Sequence, residues 1–141
     1  MSNNCLISKL DNNLNLYILI TLSILTKGFT EMKITVTHSA FEKAATDVAI
    51  VKIPSHMNIN QGLEYAYRWT QNVYHGWSID KDYEENEDAN KDVEVHYNRA
   101  DGLGHRSTSV GDILTVHDDY IGNIKFKVMP VGFEEVRELA Y

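Results

Sequence analysis

The clearest alternation of apolar and polar positions lies late in the chain. Ile124, Phe126 and Val128 alternate with Lys125, Lys127 and Met129. That period of two puts the apolar set on one face of a sheet and the lysines on the other. Just before it, Asp112 to His117 is rich in Ile, Leu, Thr and Val, which suit a pleated, half-buried surface. Asp118 to Asn123 supplies Asp, Gly and Asn between the two runs, so an antiparallel hairpin is the simplest connection. Earlier, Met32 to His38 alternates Ile34 and Val36 with Lys33, Thr35 and Thr37, a strand with one wet face. Asp47 to Ile53 is more evenly apolar, as in an interior strand, and Pro54 ends it. Val93, Val95 and Tyr97 alternate with Asp92, Glu94 and His96, predicting a short edge strand.

The period changes between Asp47–Ile53 and the run that starts at Asp92. Ile59, Leu63, Ala66, Tyr67 and Thr70 recur at helical spacing, with Asn58 or Asn60 as a cap whose side chain accepts a hydrogen bond from the first turn. The helix is expected to end near Asn72, with Gly76 beyond it. Trp69 lies off the apolar stripe, and Val73, Tyr74 and Trp77 follow the helix. Such rings each bury a large area, so the edge of a core is the plainer reading and a binding platform the sharper one. Ser39 to Ala45 reads as a short helical turn or a loop, and Glu134 to Leu139 as a short C-terminal helix. The fold class is therefore α+β: a small antiparallel sheet with one main helix packed on it.

Composition narrows the function. The chain has 141 residues and a net charge of −7, room for one domain with a real core. Direct nucleic-acid binding is disfavoured, because phosphate contacts need clustered Lys and Arg. From Asp80 to Glu94 there are eight acidic residues and two lysines. Like charges with few apolar groups predict a solvated, mobile loop over residues 80–92. A single cysteine, Cys5, allows no disulfide framework and fits a reducing compartment, hence a cytoplasmic expectation.

Residues 1–31 differ from the rest. Leu14 to Leu25 is an almost unbroken apolar run, short of the roughly 20 residues needed to span a bilayer. The stretch before it carries only Lys9, offset by Asp11, and no small-residue cleavage site follows, so it makes a poor signal peptide. The compact domain, residues 32–141, is expected to start at Met32. Residues 1–31 are then an N-terminal extension, such as a misassigned start codon would produce. Membrane association is disfavoured unless it runs through residues 14–25.

Three chemistries deserve weighing. Asp88, Asn90 and Asp92 begin like a calcium loop, but Val93 stands where a glycine is needed and Arg99 where a bidentate Glu is needed. His105, Ser107, Ser109 and Asp112 are crowded together, which raises a small hydrolase using His105 and Ser109. Against it, triad partners converge from separate elements, and no G-x-S-x-G elbow is present. The plainer reading gives the hydroxyls to backbone groups at a turn and leaves Arg106 solvated or paired with a carboxylate. The six histidines are scattered, with no zinc spacing. Neither a metal nor a cofactor is expected.

The string His105-Arg106-Ser107-Thr108-Ser109-Val110-Gly111-Asp112-Ile113, followed by a strand and then Val131-Gly132-Phe133-Glu134-Glu135-Val136, resembles the YodL-type domain. That domain carries R-S-x-S-V-[GS]-D-[IV], a strand pair and a G-F-x-x-[IV] ending. Small tailed-phage proteins look similar, with an upstream helix like Leu63 to Asn72. The resemblance covers about Asn60 to Leu139. The chain departs from it by the long acidic insertion and by Met129-Pro130, where the family tends to have a tyrosine and an aspartate. The family has no established enzymatic activity. The resemblance therefore implies a non-catalytic accessory protein of phage or mobile-element origin, and it supplies no catalytic residues.

The expected function is a non-enzymatic interaction protein that binds a host or phage protein, in the host cytoplasm if phage-encoded. Its expected surface is Arg106, Ser107, Thr108 and Ser109 flanked by Trp69 and Trp77, since arginine and aromatic side chains dominate binding hot spots. An acidic nucleic-acid mimic that blocks a DNA-binding protein is the alternative from a different class, motivated by the acidic loop.

Overall fold

The computed structural model describes residues 13–19, 31–79, 82–96 and 101–138. Residues 13–19 form a short exposed helix, α1. The rest of the apolar run, residues 20–25, lies outside the described residues. So do Cys5, Tyr97, Arg99 and Leu139. Among the described residues no helix is long and apolar enough to cross a membrane.

Glu31–Tyr141 is one compact unit. Its strands are β1 (Lys33–His38), β2 (Thr46–Lys52), β3 (Val93–Val95), β4 (Ile113–Asp118), β5 (Gly122–Val128) and β6 (Phe133–Glu135), with helix α2 (Ile59–Arg68) between β2 and β3. The order across the sheet is β3-β2-β1-β4-β5-β6, and every pairing is antiparallel. The class is α+β, and the sheet dominates it.

The alternations read from the sequence set the two faces. Ile34 and Val36 of β1 and Leu114 and Val116 of β4 are fully buried, with Leu63 and Ala66 of α2 in the same core. On β5, Ile124 pairs across from Val116 and Phe126 from Leu114, so the apolar set faces the core and Lys125 and Lys127 face away. The opposite face is polar. There Thr35 Oγ1 and His117 Nε2 are 2.7 Å apart, and Thr37 donates to Asp47 at 2.6 Å. The β4–β5 turn is built as its residues dictate. Asp118 Oδ1 accepts from the Tyr120 and Ile121 N–H groups, and Gly122, at φ +86°, absorbs the left-handed step into β5.

Asn58 is the cap of α2. Its side chain accepts from the Gln61 N–H at 2.9 Å, and Gln61 Oε1 accepts from the Asn58 N–H at 3.0 Å, a reciprocal capping box. The helix ends at Arg68, earlier than the periodicity predicts. The Thr70 hydroxyl folds back onto the Ala66 carbonyl at 2.8 Å, and the Thr70 N–H bonds to the Tyr67 carbonyl, which tightens the last turn and closes the helix.

The expected C-terminal helix over Glu134 to Leu139 is corrected. Phe133–Glu135 is instead the edge strand β6, and the Val136 N–H continues the pairing to the Lys125 carbonyl at 2.8 Å. Without β6, one side of β5 would expose its backbone groups as an open edge, and the chain turning back after Gly132 satisfies them.

Candidate functional site at the Arg106 loop end

Three irregular segments meet where β1 ends and β4 begins: the β1–β2 connection, the exit from α2, and residues 105–112. Arg106 joins the first to the last. Its Nε and one terminal nitrogen donate to the two oxygens of Glu42, both at 2.8 Å. Its terminal nitrogens also donate to Asp112, at 2.7 and 2.8 Å, and to the Ser107 carbonyl at 2.9 Å. A guanidinium has five N–H donors, and all five are used here.

Asp112 is the other half of the latch. It is fully buried and accepts five hydrogen bonds. Two come from Arg106; the others come from the N–H groups of Ser39, Ala40 and Ser109 at 2.9, 3.0 and 2.8 Å. Burial pushes this carboxyl up, but the Arg106 bonds and the three backbone donors outweigh it and hold it down at about 2. The same bonds hold Glu42 below its ordinary range and keep Arg106 charged. Gly111, at φ +97°, makes the bend. A side chain there would be strained, and its Cβ would approach that of Ala40 to 3.2 Å.

The segment from His105 to Thr108 is fastened along the helix exit. The Thr108 N–H bonds to the Thr70 carbonyl, and Gln71 Nε2 donates to the Thr108 carbonyl. The Asn72 N–H donates to Ser107 Oγ at 2.8 Å, and Trp77 Nε1 donates to the Arg106 carbonyl at 3.0 Å. Inside, Thr70 and Thr108 hydroxyls are 2.8 Å apart, and His38 Nε2 is 3.3 Å from Thr108 Oγ1. Proton counting fixes the chain. Thr70 spends its proton on the Ala66 carbonyl, so Thr108 donates to Thr70, and His38 donates through Nε2 to Thr108. Burial first, then the Arg106 charge, lowers the His38 pKa to about 4, so this ring is neutral at pH 7. Trp77 stacks on His105, with centroids 5.6 Å apart.

The residues singled out from the sequence thus separate. Trp77 and Thr108 are 3% and 1% exposed and offer no contact surface, because both are spent on joining loop to helix. Arg106 is structural in its polar contacts, with its donors saturated. Ser107 and Ser109 are half-buried, and the Ser109 hydroxyl donates to the Ser107 carbonyl. Trp69 is half-buried, edge-on to Tyr65 and 4.7 Å under the Arg68 guanidinium. The segment is not a strand: His105 and Thr108 are its buried residues, while Ser107 and Ser109 are only half-buried. His105 is buried against Trp77, and neither it nor Ser109 lines any described cavity.

Phe41 was missed. It is 74% exposed, yet its ring lies against the Arg106 guanidinium, 5.0 Å from carbon to centroid. Val110, Val73 and Tyr74 on the joined segments are exposed as well. The only signal for Phe41 in the sequence was a bulky apolar residue in a connection otherwise made of small and polar residues.

The acidic loop also departs from expectation. Asp88 is fully buried, and one of its oxygens accepts from the N–H groups of Val73, Tyr74 and His75 at 2.9, 2.8 and 2.9 Å. Asn86, also buried, donates to the Gly76 carbonyl. Tyr65 donates to Asp92 at 2.7 Å and accepts from Asn90. Asp88 and Asp92 are therefore turned inward to different partners and do not converge on a common point. Among the described residues no group of three or more His, Cys, Asp or Glu side chains is arranged to hold a metal ion.

Compared with family models, curated proteins and solved structures, the chain matches none.

Proposed function

We propose that this chain is a non-enzymatic interaction protein whose contact surface is the Arg106 loop end, with Phe41 as its anchor. One observation carries the reading: Phe41, a large apolar side chain, stands in solvent against the Arg106 guanidinium, whose five donors are already used. An exposed aromatic ring held in place before binding loses little freedom on contact, and aromatic side chains are enriched at hot spots. In this reading α2 is the main helix packed on the sheet and backs the loop end. The resemblance to the YodL-type domain supports a non-catalytic accessory role and a phage or mobile-element origin, acting on a protein in the cytoplasm. The resembling motif then has a structural meaning. Its Arg and Asp are Arg106 and Asp112, its glycine is the bend at Gly111, and its serines tie the loop.

Affinity capture from the native host tests this, with wild type and Phe41→Ala as baits, both checked for an unchanged melting temperature. A protein retained by wild type and lost with Phe41→Ala is the expected result. Identical partner lists, or no partner for either bait, would count against it.

A further inference from the structure

A second surface adjoins the loop end and has a different chemistry. A groove of about 370 Å³ lies between α2 and the β5–β6 turn, lined by Glu64, Tyr67, Val128, Met129, Pro130 and Phe133 among others. That is within the size range of sites that bury a small ligand or a large side chain. Its walls are aromatic. Tyr67 and Phe133 meet edge-on, with centroids 6.2 Å apart and planes at 73°. Met129 supplies an adaptable apolar wall.

One lining residue is charged. Glu64 is exposed on α2, three positions before Tyr67 and so on the same side of the helix. Its carboxylate has no hydrogen bond or ion pair among the described residues, whereas Glu42 and Asp112 are each bonded to Arg106. A groove with aromatic and apolar walls and one lining carboxylate that has no ion pair among the described residues complements a cation beside an apolar group. The groove is also continuous with the latch. The Val128 N–H bonds to the Asp112 carbonyl, and the Gly111 N–H to the Val128 carbonyl.

We infer that this groove takes an apolar side chain flanked by lysine or arginine, presented by a peptide segment of the partner. The inference rests on the interaction reading above and names the chemistry of the partner. The second motif block gains a role as well: Phe133 forms a wall, and Gly132, at φ +72°, turns the chain to place it.

Amide chemical-shift titration of the full chain tests it with three capped pentapeptides whose centres are Lys-Leu-Lys, Glu-Leu-Glu and Lys-Ser-Lys. The expected result is saturable shifts at Glu64, Tyr67, Gly132 and Phe133 with the first. Binding of the other two should be about tenfold weaker or more, a loss of roughly 1.4 kcal/mol or more. Glu64→Gln should weaken the first peptide severalfold, and Met129→Lys should abolish its binding, while Phe41→Ala leaves it unchanged. Equal affinity for all three peptides, shifts confined to residues 82–94, or no shifts would overturn the inference. So would concentration-dependent shifts without peptide, which would mean a second copy occupies the groove. Partner capture that survives Phe41→Ala would sink the loop-end anchor alone, and the titration would still decide the groove.

Discussion

Two buried carboxylates organise the two long irregular parts of this molecule, and they do so differently. Asp112 has donors on both oxygens and a guanidinium beside it. Asp88 has three backbone donors on one oxygen, while its other oxygen is buried and has no partner among the described residues. For Asp88, burial pushes the pKa up and the N–H groups of Tyr74, His75 and Val73 more than reverse it. Both carboxylates do for loops what ladders do for strands: they gather N–H groups that have no carbonyl to bond. The difference is that Asp112, with Arg106, couples two distant segments, the β1–β2 connection and residues 105–112, whereas Asp88 holds only its own loop against the helix exit.

That difference sets an order of effects. Arg106→Ala is expected to cost most, about 3–5 kcal/mol, because it leaves a buried carboxylate without its cation. Urea unfolding measures it, and a loss below about 1 kcal/mol would mean the latch is ornamental.

Acid should act next, and mainly at the loop end. The His38 pKa, at about 4 in the fold, lies below the ordinary 6.5, so the unfolded chain takes up this proton first. Its contribution is intact above pH 6.5 and is lost as pH falls towards 4, on the order of 3 kcal/mol in total. Asp112, at about 2 against an ordinary 3.8, adds a second loss as pH falls from 3.8 towards 2. His38→Gln should remove the first slope and leave the second. A variant that keeps both would show that another group titrates.

Asp88→Ala should cost about 1–3 kcal/mol, since it strands three N–H groups. Asp88→Asn should cost less, because one amide oxygen can still serve those donors while the amide nitrogen takes the place of the unpartnered oxygen. Thermal melts of the pair would separate them, and equal losses would imply that charge, not hydrogen bonding, matters at this position. Smallest of all, Glu42→Gln should cost less than about 1 kcal/mol, because Glu42 lies at the rim, where solvent screens its charge.

Much of the sheet was legible in the sequence because burial on one face leaves a period of two, as in Ile34 and Val36 or Ile124, Phe126 and Val128. The cap was legible to within two positions, as Asn58 or Asn60, since capping is local, and the structure selects Asn58. The strand β6 was not: three residues carrying Glu134 and Glu135 have no alternation to read, and only the open side of β5 recruits them. At the loop end, hydroxyls bonded to backbone groups at a turn were legible, as at Ser109, and a carboxylate partner for Arg106 was among the readings. That the outer partner is Glu42, 64 positions away, is a consequence of β1 pairing with β4. Likewise, Asp88 looked like one more solvated acid because nothing local shows that residues 73–75 turn their N–H groups towards it.

The central claim is that Asp112 and Arg106 hold two distant segments as one unit. Hydrogen exchange of the Ser39, Ala40 and Ser109 amides, in wild type and in Arg106→Lys, tests it most directly. All three should be protected in wild type and should lose protection together in the variant, whose shorter cation cannot span both carboxylates. Ser109 exchanging freely while Ser39 and Ala40 stay protected would contradict the account.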